Sequence, residues 1–249
     1  MSRKPYSWLV VVGMISLCIG LSGCGKNVDT VAESTVPIEI GEHVMYGSYQ
    51  GEPVEWRVLD KKDGEILLLS EYGLDAQPFD TSGKSRVDWK DSTIRKWLND
   101  DFYNSAFSEK EKENIVESKS EGFEEYNTSM NLTGGGKPYA YLEREIEDKV
   151  FLLSNTELCA YFSEDPYPGC YSDPYAHKEL LCYPTAYAKQ QLETRYQTET
   201  CGWWLCNHVY EDDSVELVSA YGQGSGTSRE NIKANTKSIA VRPAMWVTW

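Results

Sequence analysis

The stretch HVMYGSYQGEPVEWRVLDKKDGEILLLSE, residues 43–71, constrains the fold more than any other part of the chain. Side chains alternate at Val44, Tyr46 and Ser48, alternate again at Val54, Trp56 and Val58, and then run apolar from Ile66 to Leu69. A period of two sends successive side chains to opposite faces of a pleated strand, and Gln50-Gly51 and Asp63-Gly64 supply the turn chemistry of short hairpins. The domain opens as antiparallel sheet.

The period then changes. In DSTIRKWLNDDFYNSAFSEKEKENIV, residues 91–116, Ile94, Trp97, Leu98 and Phe102 fall on one helical face, with Asp91 or Ser92 as cap. Ser108 and Glu111 have capping-box spacing for a second helix that reaches about Val116. Residues 117–145 are polar and Gly-rich, as befits a long surface excursion. KVFLLS, 149–154, reads as a buried strand, and Ser154 with Glu157 caps a short helix carrying Leu158 and Phe162. Strands return around Trp203–Cys206, at Val215–Tyr221 and at Ile239–Val247. Strands, helices, then strands give an α+β class, with antiparallel sheets, two or three packed helices and long loops; an alternating doubly wound sheet does not fit. TGGGKP, 133–138, lacks the spacing that lets backbone amides cradle a phosphate.

The first 24 residues read MSRKPYSWLVVVGMISLCIGLSGC. Arg3 and Lys4 precede an apolar stretch from Trp8 to Leu21, and Leu21-Ser22-Gly23 leads into Cys24, an order that resembles a bacterial lipobox. The expected organisation is a lipoprotein signal peptide over 1–23, a tether over 24–37 and one α+β domain over 38–249. Cys24 becomes the lipidation site, so the mature chain is extracytoplasmic and lipid-anchored to the bacterial cell membrane. Acyl chains contribute about 0.8 kcal/mol per buried methylene without any membrane span. Loss of Arg3 and Lys4 takes the net charge from −15 to about −17. So acidic a chain repels phosphate backbones, which excludes nucleic acid as a partner; oligomeric state is not legible.

YGSYQGEPVEWRVLD, LLLSEYGLD, TIRKWLNDDFYNSAFSEKEKENI, PTAYA, CGWWL and AVRPAMWV, in that order, resemble a bacterial family of exported domains, domain of unknown function 6273. More distantly, a Trp-rich strand followed by a final Val-Arg-Pro-Ala strand is similar to the C-type-lectin-like fold, including its formylglycine-generating-enzyme branch. In the family Trp-Trp-Leu is usually followed by arginine and serine, whereas this chain has Cys206 and Asn207.

No nucleophile motif stands out, because the chain has three histidines, none beside a motif serine, and 39 acids from which no glycosidase pair can be chosen. The chain reads as non-enzymatic. Its positive signal is aromatic. AYFSEDPYPGCYSDPYAHKELLCYPTAY, 160–187, holds two Asp-Pro-Tyr triplets, at proline and glycine density that forbids a long regular element, with a helix starting near Pro184. Trp203 and Trp204 are strand neighbours, so one ring should enter the core and the other emerge or pack under a loop. An emergent indole beside Tyr167, Tyr171 and Tyr175, with Asp165, Asp173 and Asp212 as acidic edges, would stack on a sugar or grip a peptide. The expected function is a non-catalytic ligand-binding module at the cell surface, for carbohydrate or peptide; a structural surface module and an extracytoplasmic hydrolase are the alternatives. No cofactor is called for. Structural calcium has two oxygen-rich loops open to it, one with Asp165 and Asp173, one with Asp212 and Asp213.

Once Cys24 is lipidated, Cys159, Cys170, Cys182, Cys201 and Cys206 remain. An odd number leaves at least one thiol unpaired within the chain. Cys201 and Cys206 point to opposite faces of a straight strand, so a bridge between them needs a bend. A bridge from Cys170 or Cys182 to the 201–206 region is open, as is the reading of all as buried thiols. Cys201 and Cys206 lack the partner motif of a catalytic metal site, and the only soft-metal set, His177, Cys182, Cys206 and His208, has no suggestive spacing.

Overall fold

The computed structural model describes residues 37–84, 87–119, 146–162, 178–193, 198–208, 215–223 and 233–249. The chain divides after Glu39, and everything described below belongs to the unit Ile40–Trp249.

Its frame is a five-stranded antiparallel sheet of order β1-β2-β3-β7-β4. The strands are β1 (His43–Tyr49), β2 (Glu52–Lys62), β3 (Glu65–Ser70), β4 (Ile115–Val116) and β7 (Ala244–Thr248). Both hairpin turns have two residues with positive φ, Gln50 at 53° with Gly51 at 85° and Asp63 at 52° with Gly64 at 86°. That backbone matches the right-handed twist of the strands it joins, which is why Gln-Gly and Asp-Gly mark these turns. In β2, Val54, Trp56 and Val58 are buried while Glu55 and Arg57 are partly exposed, as the alternation predicts. Ile66 through Leu69 of β3 are all buried, because β3 lies at the centre of the sheet and is covered on both faces.

The first helix begins at α1 (Thr93–Trp97), passes through a π-helical turn at Leu98–Phe102 and continues as α2 (Tyr103–Ala106). Ser92 is its cap, accepting from Arg95 N–H at 3.3 Å. Ile94, Leu98 and Phe102 are buried, but Trp97 is only half-buried, packing against Tyr49 and Phe102 at the edge of the cluster. Trp246, in the last strand, is likewise partly exposed. Trp89, in a polar stretch, is buried instead, its indole donating to Asp148 Oδ2 at 2.8 Å. Asp148 also accepts from Arg95 Nε at 2.7 Å, and Asn99 bonds the backbone of Lys149 and Val150, so the helix is fixed to the segment 148–150.

The second helix is shorter than its spacing suggests. Ser108 and Glu111 form the capping box of α3 (Glu109–Lys112), after which Ile115 and Val116 pair with β7. A single turn exhausts the helix because the two apolar residues that follow gain more as an edge strand of the main sheet. Val150–Leu153 are fully buried but form one isolated bridge, Phe151 with Ala244, instead of a strand. Ser154 and Glu157 cap α4 (Asn155–Phe162) reciprocally, at 2.7 and 3.1 Å. Thr185, one residue after Pro184, caps α5 (Ala186–Gln191).

A second sheet pairs β5 (Trp203–His208) with β6 (Val215–Val218). The segment leading into β7 joins it to the first: Trp204 N–H donates to Ala240 O and Ala240 N–H to Gly202 O, at 3.1 and 2.8 Å. Regular pairing in the last strand therefore starts at Ala244, while residues 239–243 serve as a junction.

Gly47 marks how closely the helix meets β1. Its φ is +69°, it sits in the register shift between Met45 and Ser48, and its N–H donates to Glu111 Oε1 at 3.0 Å. A Cβ there would lie 2.6 Å from Ala106 O and 2.7 Å from Phe107 Cδ1, whereas at Gly51 it would meet nothing. Gly47→Ala should cost about 2–4 kcal/mol in urea unfolding, and Gly51→Ala only about 1 kcal/mol from its backbone alone; equal losses would contradict this packing.

Candidate functional site

The two tryptophans expected to supply a ligand wall are both fully buried. Trp203 donates its indole N–H to Leu180 O at 3.1 Å, and Trp204 donates to Gln77 O at 3.0 Å. Alternation along β5 does send the rings to opposite faces, but both faces are covered. On one, Arg242 lies over the Trp203 ring, 5.0 Å from guanidinium carbon to centroid. On the other, Phe79 meets Trp204 edge-on at 6.0 Å. The expectation of an emergent indole is corrected on this ground: the strand has no solvent face. The other residues expected at that site lie outside the described residues, namely Asp165, Tyr167, Tyr171, Asp173, Tyr175 and Asp212. So do Asp213, the lipidation residue Cys24, and Cys170, His177 and the side chains of Cys159 and His208.

What the Trp203 strand carries instead is a buried polar and sulfur cluster. Arg242 is fully buried; its Nε donates to Ser70 O at 2.8 Å, and its Nη2 lies 3.9 Å from Glu71 Oε2. Nη1 and Nη2 have no hydrogen-bond partner among the described residues. Burial pulls the guanidinium below its ordinary value, and Cys182 and Glu71 act in the opposite sense to keep it charged. Glu71 is in turn held by Arg57 through two hydrogen bonds, 3.0 and 2.8 Å.

Cys182 and Cys201 face each other across an antiparallel bridge, Cys201 N–H donating to Cys182 O at 2.8 Å. Both are buried, and both sulfurs lie against Gly73: a Cβ on Gly73 would be 3.2 Å from Cys201 Sγ and 3.5 Å from Cys182 Sγ. Burial alone raises a thiol, but for Cys182 the Cys201 thiol and the Arg242 charge outweigh it, and the net shift is downward. Cys201 moves upward, because its hydrogen bond to Cys182 and its burial both favour the protonated form. Cys206 is apart from this pair, its sulfur 3.8 Å from Asn207 Oδ1. Asn207 Oδ1 also accepts from Asn155 N–H at 2.7 Å, and Asn155 donates to Glu216 Oε2 at 2.8 Å, so Asn207 and Glu216 tie α4 to the second sheet.

Among the described residues no group of three or more His, Cys, Asp or Glu is placed to hold a metal ion. An open groove of about 540 Å³ runs beside α1, lined by Lys90, Ser92, Thr93, Lys96, Asn99 and Asp100 among others. Its lining is polar and of mixed charge. Sequence reasoning missed Arg242, Glu71 and Gly73 as members of one cluster; the signal was Val-Arg-Pro-Ala itself, a charged residue inside an apolar terminal strand.

These features define a class: an antiparallel α+β domain whose Trp-Trp and Val-Arg-Pro-Ala segments meet in one buried cluster. The chain belongs to the family described as domain of unknown function (DUF6273), which it matches over residues 63–249. No curated protein and no solved structure matches it.

Arg242→Ala removes a fully buried charge from its partners and should cost about 3–5 kcal/mol in denaturant unfolding. Arg57→Ala, which breaks a more exposed ion pair, should cost about 1 kcal/mol or less. A loss at Arg242 no larger than at Arg57 would show that the cluster does not hold the sheets together.

Proposed function

We propose that the protein is a cell-surface lipoprotein whose domain binds carbohydrate or peptide without catalysing a reaction on it. The observation that carries this reading is where the aromatic and acidic segments are attached. Residues 163–177, with Asp165, Tyr167, Tyr171, Asp173 and Tyr175, follow α4, which is tied to β5 through Asn155 and Asn207. They precede the turn at Lys178–Leu180, whose Leu180 carbonyl receives the Trp203 indole. Residues 209–214, with Asp212, connect β5 to β6.

All six side chains thus belong to stretches that leave and rejoin elements fixed to one buried strand. In this reading the Trp pair is the rigid base and the tyrosines are the contact surface; phenol rings stack on a sugar face, and carboxylates accept from hydroxyl or ammonium groups. Membrane attachment rests on Leu21-Ser22-Gly23-Cys24 behind its basic and apolar leader.

The test uses the full chain, solubilised from membranes and applied to glycan and peptide arrays. Joint replacement of Tyr167, Tyr171 and Tyr175 by alanine should weaken binding at least about tenfold, equivalent to about 1.4 kcal/mol, with the unfolding midpoint unchanged. Cys24→Ala should release the protein from the membrane fraction. A chain that binds nothing on either array is a structural surface module, and unchanged binding in the triple variant would rule out the tyrosines as its contact surface.

A further inference from the structure

We propose that Cys182 and Cys201 are a disulfide-forming pair that closes the chain between α4 and β5. Their presence as a bond in the cell rests on the extracytoplasmic reading above; their capacity to pair does not. The geometric grounds are threefold. The two residues are directly opposite in an antiparallel bridge, a placement that sets Cα atoms about 4.5–5.5 Å apart, within the range of about 4.4–6.8 Å that a disulfide spans. Cys201 Sγ already lies 3.5 Å from the Cys182 carbonyl oxygen, so its side chain is turned towards its partner. Both sulfurs rest on the one residue without a side chain, Gly73, where even a methyl group would collide with Ala240 Cβ at 2.8 Å. Gly73 and Ala240 thus bound the space on which both sulfurs lie.

In the folding chain, before the cluster around Arg242 has closed, either thiol can attack first; take Cys182. Its thiolate displaces one sulfur of an external disulfide, either a small-molecule disulfide or the disulfide form of a thiol oxidoreductase, giving a mixed disulfide and one released thiol. Cys201, losing its proton, then attacks the Cys182 sulfur and expels the second thiol. Two electrons and the two thiol protons pass to the external disulfide, which leaves as two thiols, and one sulfur–sulfur bond remains in the protein. Because both cysteines are buried in the folded domain, the exchange belongs to the folding chain, and the finished bond is shielded from reductants. The alternative partner fits less well: Cys206 is five positions along the strand, with its sulfur beside Asn207.

The experiment is non-reducing tryptic mapping of the full chain after its free thiols are blocked at harvest. Cleavage leaves Cys182 alone in peptide 179–189, and Cys201 with Cys206 in peptide 196–229. The expected product is these two peptides cross-linked, retained in Cys206→Ser and absent in Cys201→Ser. A second arm refolds the purified, reduced full chain in a thiol–disulfide buffer and maps it in the same way. Cross-linking in both arms supports the pair and its formation in the cell. Cross-linking in the refolding arm alone supports the pair and counts against the extracytoplasmic reading. Blocked Cys182 in both arms, or a cross-link lost in Cys206→Ser and kept in Cys201→Ser, overturns the proposal. With the bond in place, closing a 19-residue separation should raise the thermal midpoint of the oxidised chain over the reduced one by roughly 5–10 °C.

Discussion

A guanidinium with no exposed surface is expensive to bury, and the arrangement around Arg242 is the constraint on which the rest of the domain depends. Its Nε reaches the carbonyl of Ser70 at the end of β3, its plane lies over the Trp203 ring of β5, and its charge faces Glu71 and the Cys182 thiol. Four stretches distant in sequence, at Ser70-Glu71, Cys182, Trp203 and Arg242, have to meet for all of these contacts to exist. The main sheet, the second sheet and the junction before β7 are thereby held in one arrangement, with Gly73 leaving the space that the two sulfurs occupy. A hydrophobic residue at 242 would fill volume, but it would not oblige Glu71 and Trp203 to take these positions.

The local chemistry of the fold was largely legible in the sequence. Gln50-Gly51 and Asp63-Gly64 form the hairpin turns, Ser108 with Glu111 and Ser154 with Glu157 form capping boxes, and the α+β class follows from the order of elements. Each of these is decided by residues close in the chain. What escaped was decided by tertiary partners. Trp203 and Trp204 sit on opposite faces as a strand requires, yet no sequence period says that Arg242 and Phe79 cover those faces. Ile115 and Val116 end the second helix because β7 offers them an edge, and Val150–Leu153 are buried without strand pairing along their length. The burial of Trp89 and the partial exposure of Trp97 have the same cause: Asp148 gives the Trp89 indole a buried acceptor, while Trp97 sits at the margin of the aromatic cluster.

The segments that identify the family are thus used inside the molecule. Trp-Trp-Leu, Val-Arg-Pro-Ala and the apolar strand 66–69 build a scaffold, and Asn207 adds its tie to Asn155. In this chain the stretches 163–177 and 209–214 that join elements of the scaffold are rich in tyrosine and aspartate, and the chain as a whole is strongly acidic.

The claim that both tryptophans belong to a closed scaffold is tested most directly by native-state hydrogen exchange of the indole N–H groups. Trp203 and Trp204 have no exposed surface and each donates to a backbone carbonyl, while Trp249 is about half exposed and provides a fast internal reference. The account predicts that the Trp203 and Trp204 indoles exchange only through openings whose free energy approaches that of global unfolding. Exchange of either indole as fast as that of Trp249 would contradict it and would return that ring to the surface.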